Sequence, residues 1–231
     1  MMPSPHQPIS RYIEHTLLRP DATRDDIMRL CAEAAHLGIF AVCVSPCWVR
    51  EAVSFLRGTE VKVVTTCGFP LGSGHTSVKV AEAVTSIRVG AAEIDMVINV
   101  GAFKSGLHRS VREDIAAVAD ACHGRSGLLK VIVETGYLTD AEKEQACALA
   151  VEGGADFVKT STGFGPGGAT VGDVRLLRRI APQSVGVKAA GGIRDLATAL
   201  AMIEAGASRI GTSSGAAVVK EFMINEQAED K

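Results

Sequence analysis

A chain of 231 residues, 47% hydrophobic and 22% charged, can bury a large core, and an α/β barrel of this length folds as one domain. The formal net charge of −2 hides no long block of one sign, and aromatic residues make up only 4%, so nucleic acid and anionic membrane surfaces are not expected as partners. The amino terminus, Met-Met-Pro-Ser-Pro-His-Gln-Pro, has no basic stretch leading into an apolar one, and no segment approaches roughly 18 uncharged apolar residues, which together predict a cytoplasmic protein.

Short runs rich in Val, Ile and Leu alternate with longer Ala-rich stretches of helical period. Strands are predicted over 12–17, 40–45, 61–67, 93–99, 128–134, 156–161, 184–190 and 208–212. Helices are predicted between them over 24–37, 46–57, 75–89, 108–123, 139–152, 170–181, 195–205 and 214–222. This order predicts a single-domain (β/α)8 TIM barrel over 1–231, with an open doubly wound sheet as the alternative if the short, mixed first strand is lost. The polar residues 224–231 are expected to fray. Thr139 with Glu142 forms a capping-box pattern, and Gly38 and Gly124 are candidate helix stops.

A weak internal repeat adds leverage. Gly90-Ala91, Gly154-Ala155 and Gly206-Ala207 each close a helix and lead into a strand, and four residues beyond each Ala stand Asp95, Lys159 and Gly211. These positions are expected at the carboxyl ends of strands, where barrels of this kind carry their chemistry.

Two lysines lie in strand-like apolar runs that end in glycine-bearing turns. Lys159 is in Phe157-Val-Lys-Thr-Ser-Thr-Gly163 and Lys188 in Val185-Gly-Val-Lys-Ala-Ala-Gly-Gly192. Desolvating an ammonium costs several kcal/mol, so lysine is seldom placed there for packing. An amine nucleophile must be neutral, and lowering a lysine from about 10.4 by some three units takes about 4 kcal/mol, within reach of burial and one like charge. The pair therefore reads as a Schiff-base lysine and its electrostatic neighbour; a core-edge lysine neutralised by Asp156 or Glu134 is the plainer alternative. Asp95 shares a strand face with Glu93 and Asn99 and suits either an ion-pair partner or a proton shuttle. Lys130 and Glu134 share a face of their strand and are expected as an interior ion pair or layer residues.

The last two βα turns point to the ligand. Gly191-Gly192-Ile-Arg194 and Gly211-Thr-Ser-Ser-Gly215 let the backbone approach an anion closely, at the loops where (β/α)8 barrels commonly hold phosphate. Neither the dinucleotide fingerprint nor the Walker pattern occurs, so a small phosphorylated metabolite is expected. No metal is called for: Cys43 and Cys47 lack a matching second pair, and no two histidines stand at i, i+4. The six cysteines are expected mostly as buried free thiols.

These motifs resemble deoxyribose-phosphate aldolases, class I aldolases of the (β/α)8 type. The resemblance runs from Ile13-Glu-His-Thr-Leu-Leu-Arg-Pro-Asp-Ala-Thr23 to Gly211-Thr-Ser-Ser-Gly215. It is most specific in Glu93-Ile-Asp-Met-Val-Ile-Asn99, Lys130-Val-Ile-Val-Glu-Thr135, Phe157-Val-Lys-Thr-Ser-Thr-Gly-Phe-Gly165 and Val187-Lys-Ala-Ala-Gly-Gly-Ile-Arg194. It implies reversible cleavage of 2-deoxy-D-ribose 5-phosphate to acetaldehyde and D-glyceraldehyde 3-phosphate without metal or organic cofactor. Carried over residue by residue, it gives Lys159 the imine, Lys188 the perturbing charge and Asp95 the acid–base role. The phosphate falls to Gly191, Gly192, Arg194, Ser213 and Ser214 with Gly163 beside it, and Thr16 and Cys43 take pocket positions. Glu14 stands where the family commonly has Asp, and the tyrosine that ends the tail in part of the family has no counterpart beyond Tyr12 and Tyr137. A phosphosugar isomerase and a non-catalytic phosphosugar binder are the alternatives, and a homodimer is the expected assembly.

Overall fold

The computed structural model describes residues 8–229. Eight parallel strands close in sequence order into a barrel: β1 Ile13–Leu17, β2 Ala41–Val44, β3 Lys62–Cys67, β4 Glu93–Val97, β5 Leu128–Ile132, β6 Phe157–Lys159, β7 Gly186–Ala190 and β8 Arg209–Thr212. The short first strand, on which closure hinged, pairs with β2 through Glu14–Leu17 and with β8 through Ile13–His15. Around the barrel lie α1 Arg24–His36, α2 Val49–Phe55, α3 Thr76–Arg88, α4 Val100–Lys104, α5 His108–His123, α6 Asp140–Glu152, α7 Val171–Ile180, α8 Leu196–Glu204 and α9 Gly215–Glu229. No helix among the described residues is long and apolar enough to cross a membrane.

The repeat has a common backbone cause. Gly90, Gly154 and Gly206 all have positive φ (+113°, +87° and +109°). The next residue's N–H then reaches back to a helix carbonyl, Ala91 to Ser86, Ala155 to Ala150 and Ala207 to Met202, at 2.9 to 3.0 Å. That closure ends the helix and aims the chain into β4, β6 and β8 in the same way each time. Thr139 and Glu142 form the expected capping box on α6, and Thr23 with Asp26 forms another on α1. Gly38 turns the chain after α1 with φ +60°, whereas Gly124 stays right-handed and Ser126 supplies the positive φ (+59°).

Three local differences from the sequence reading have simple origins. α4 falls at the end of a predicted strand because Asn99 caps it, accepting the Ala102 N–H at 3.0 Å. α9 continues through 224–229, where good helix formers (Glu, Gln, Ala) follow one another, and residues 230–231 lie outside the described part. β5 stops at Ile132, because Glu134 leaves the extended region with φ +56°.

The large apolar core lies between the strands and the helices. Inside the barrel the two halves differ. Ala41, Cys43 and Val64 on β2 and β3 form a small neutral cluster against Leu18 and Phe40, while the inward positions of β1 and β4–β8 carry charge. At the amino-terminal end the Arg209 guanidinium lies 3.8 Å from the ring centre of Phe40 and 5.1 Å from that of Phe157. Glycine at 186 makes room for this, since a Cβ there would stand 2.2 Å from the Phe157 ring.

Candidate active site

Period-two alternation turns Glu93 and Asp95 of β4, Lys130 of β5, Lys159 of β6, Lys188 of β7, Arg209 of β8 and Glu14 of β1 into the barrel. They form one buried ionic layer. Asp95 Oδ2 accepts from Lys159 Nζ at 2.8 Å and from Lys188 Nζ at 2.6 Å, and Asp95 Oδ1 accepts from Lys130 Nζ at 3.0 Å. Glu14 accepts from Lys188 through a short bond and from Arg209 at 3.0 Å, with Lys130 at 3.4 Å. Glu93 faces Lys130 at 2.5 Å and Arg209 at 3.2 Å.

Charge counting ranks these groups. Three carboxylates meet four cations, so with every group ionised the layer carries one surplus positive charge. Lys130 has three carboxylate partners, Lys188 and Arg209 have two each, and Lys159 has one. Lys159 is thus the least compensated cation, and of the three lysines it alone lines the cleft above. Burial raises the Asp95 carboxyl, but the ammonium groups of Lys130, Lys159 and Lys188 outweigh it and hold the pKa well below its ordinary value. Burial likewise opposes the ionised Glu14, and Lys130 and Lys188 overcome it. For Lys188, burial pulls the ammonium down while Asp95 and Glu14 more than restore it, so its pKa is raised. Asp95 and Glu14 thus favour the charged form of Lys188, which shares the acceptor Asp95 Oδ2 with the Lys159 amine.

These directions predict a pH window for stability. Carboxylates with lowered pKa values contribute stability that is complete above their ordinary values of 3.8 and 4.5 and is lost as pH falls through the folded values. Lys188, with a raised pKa, contributes stability that is complete below 10.5 and is lost as pH rises further. Urea unfolding should show this network's contribution as a plateau between those limits and a fall on the acid side. Glu14→Gln, which removes a shifted group, should flatten that fall.

Above the layer, at the carboxyl ends of the strands, opens a cleft of about 390 Å³. Thr16, Lys159, Gly163, Gly191, Gly192, Arg194 and Ser213 all line it, as do Arg19, Thr162 and Phe164. Gly163, Gly191 and Gly192 have φ of +83°, +93° and +79°; a Cβ on Gly163 or Gly192 would meet nothing within 4 Å, so those two face open space, whereas one on Gly191 would lie 3.0 Å from Gly168 Cα. Cys43 and Ser214, also singled out from the sequence, are not among the residues lining the cleft. Cys43 is buried in the neutral cluster beside Glu14 and Asp95 of the ionic layer, and burial pushes its thiol up to about 11. Ser214 is half-buried next to cleft-lining Ser213, its N–H given to Thr212 Oγ1 at 2.9 Å. Asp95 and Lys188 sit beneath the floor. Gly211 belongs to that floor too: a Cβ on it would lie 3.0 Å from Lys188 Cε, so the third position of the repeat makes room for the lysine side chain.

Glu14, Cys43 and Asp95 are the one group of potential metal ligands that converge among the described residues, with ligand atoms within 4.8 Å of one another. Both carboxylates there are already engaged by lysine ammonium groups, which a cation would have to displace. All six cysteines are free thiols, and Cys47 alone is exposed.

The model of the DeoC/LacD aldolase family matches residues 12–221. The chain belongs to that family. A deoxyribose-phosphate aldolase of Thermococcus gammatolerans is 55% identical over 214 residues, covering 92% of this chain and 95% of the relative. One from Brevibacillus brevis is 56% identical over 211 residues, covering 91% and 95%. The solved structure of "QR15, an Aldolase" superposes with a TM-score of 0.91 at 45% identity, over 95% of this chain and 98% of the other. The deoxyribose phosphate aldolase from Aeropyrum pernix, of unique tetrameric structure, superposes with a TM-score of 0.87 at 32% identity, over 93% and 91%. Within this DeoC/LacD barrel, sequence reasoning passed over Glu93 and Arg209 as site residues and met Glu14 only as a departure. The signal was present for two of them: Glu93 stands two residues from Asp95 and Arg209 two from Gly211, hence on the same inward faces.

Proposed function

We propose that this chain is a Schiff-base aldolase that reversibly cleaves 2-deoxy-D-ribose 5-phosphate to acetaldehyde and D-glyceraldehyde 3-phosphate, in deoxyribose phosphate catabolism. The observation that carries the reading is Lys159. It lies on the cleft floor as the least compensated member of an ionic layer that is balanced once this amine gives up its proton. Neutral Lys159 Nζ adds to C1 of the open-chain aldehyde, and loss of water gives a protonated imine. The C2–C3 bond then breaks, its electron pair forming the C1=C2 bond of an enamine as the imine π pair moves to nitrogen, while the C3 hydroxyl gives up its proton and C3 becomes the aldehyde carbon of glyceraldehyde 3-phosphate. Asp95, relayed by water and steadied by Lys188, is the acceptor of that proton. At this step the nitrogen of Lys159 becomes neutral, so Asp95 loses one of three neighbouring cations and becomes a better base. Protonation of C2 and hydrolysis release acetaldehyde and restore the amine.

Gly191, Gly192, Arg194, Ser213 and Ser214 would hold the phosphate, with Gly163 beside it. Binding energy from that end orients the reacting carbon. The reading includes a cytoplasmic location and a homodimer, for which the exposed Leu200, Met223 and Ile224 on neighbouring α8 and α9 offer an apolar surface.

Mass spectrometry after incubation with acetaldehyde and sodium borohydride tests the proposal. A two-carbon adduct is expected on the peptide containing Lys159 and is absent in Lys159→Ala. A folded wild-type sample without adduct would favour the isomerase or binder instead.

A further inference from the structure

The segment Lys130-Val-Ile-Val-Glu-Thr135 carries a carboxylate that the ionic layer does not use. Glu134 is 3% exposed, yet it does not pair with Lys130 as its spacing suggested. With φ +56° it is one of two non-glycine residues with positive φ among those described, a costly conformation that points to a local purpose. The turn swings its carboxylate toward β6. Both oxygens accept the Thr162 N–H at 3.2 Å, and one also accepts the Thr162 hydroxyl in a short bond. The Thr162 Oγ1 in turn accepts the Phe164 N–H at 3.0 Å. Gly165 packs directly over the carboxylate, since a Cβ there would lie 2.9 Å from Glu134 Cδ.

The segment so held is a partition. Thr162 and Phe164 line the 390 Å³ cleft on one side, and on the other a second cleft of about 240 Å³ bounded by Leu71, Val97, Val100 and Tyr137. Glu134 faces the second cleft and does not line the first. The partition continues through Gly163, Gly165, Gly167 and Gly168, which gives it little stiffness of its own. Fixing it from Thr162 requires an acceptor-only group, because an N–H and an O–H converge there; glutamine would turn an NH2 toward one of them.

We infer that Glu134 is a positioning residue that sets preference for a phosphorylated substrate, by fixing Thr162 and with it the Gly163 backbone beside the phosphate. The inference rests on the aldolase reading above. It is tested by comparing kcat and KM for 2-deoxy-D-ribose 5-phosphate and for unphosphorylated 2-deoxy-D-ribose in Glu134→Gln, Thr162→Val and the double variant. Glu134→Gln should lose about tenfold in kcat/KM on the phosphorylated sugar, the scale of one charged hydrogen bond, mainly through KM, with little change on the unphosphorylated one. Thr162→Val should give a similar loss on the phosphorylated sugar, and the double variant should be no worse than the worse single. Equal losses on both sugars, additive singles, or loss of borohydride trapping by acetaldehyde in Glu134→Gln would overturn the inference and leave the carboxylate a structural one. Failure of trapping in the wild-type enzyme would instead strike the aldolase reading beneath it.

Discussion

Lys159→Met is expected to lose activity by about 10⁴-fold or more while its unfolding free energy stays within about 1 kcal/mol of the wild type. The two halves of that expectation have separate origins. Activity falls because no other cleft-lining amine can form the imine: Lys188 and Lys130 lie beneath the floor, each held by at least two carboxylates. Stability holds because the substitution removes the surplus charge and leaves Asp95 paired with Lys188 and Lys130. Methionine fills the space of the stem without the ammonium. Steady-state cleavage assays and urea unfolding of the same preparation check both halves. A loss of several kcal/mol would mean that Lys159 is a needed counter-ion in the resting protein, and the charge count would no longer select it as the nucleophile.

Asp95→Asn should fail in both respects. It leaves Lys130, Lys159 and Lys188 around a neutral amide in a site with no exposed side chain to relieve them. Removing one partner from a buried ionic cluster costs about 3–5 kcal/mol, which lowers the melting temperature of a chain this size by roughly 10 °C. Cleavage should fall by about 10²- to 10⁴-fold with the loss of the proton acceptor. The double variant Asp95→Asn with Lys130→Met separates the effects. Taking out one cation should return much of the stability and none of the activity. Wild-type stability in the single variant would show that Asp95 does not hold the three lysines together.

The barrel was legible in the sequence because βα alternation and the glycine closures are local signals. A left-handed glycine after a helix gives the same geometry at 90, 154 and 206, and so the positions of Asp95, Lys159 and Gly211 could be counted. The two lysines were legible for a thermodynamic reason, since an ammonium among apolar residues needs a partner or a use. What stayed hidden depends on pairing across the barrel. Arg209 looks like a strand-end cation until β8 meets β1 and brings it to Glu14. Glu134 looks like the inward partner of Lys130 until a positive φ breaks the alternation, which no period-two count can anticipate. Cys43 shows the same limit on a finer scale: only the resemblance gave it a pocket position, and its packing inside the barrel beside Glu14 and Asp95 depends on contacts between strands.

The guanidinium sandwiched between Phe40 and Phe157 makes the barrel a vessel with a stopper. With Arg209 and the half-buried rings of Phe40 and Phe157 filling the opposite end, the cleft is the open approach to the Lys159 amine. A sugar seated in the cleft would therefore stand between the ionic layer and the solvent on its open side.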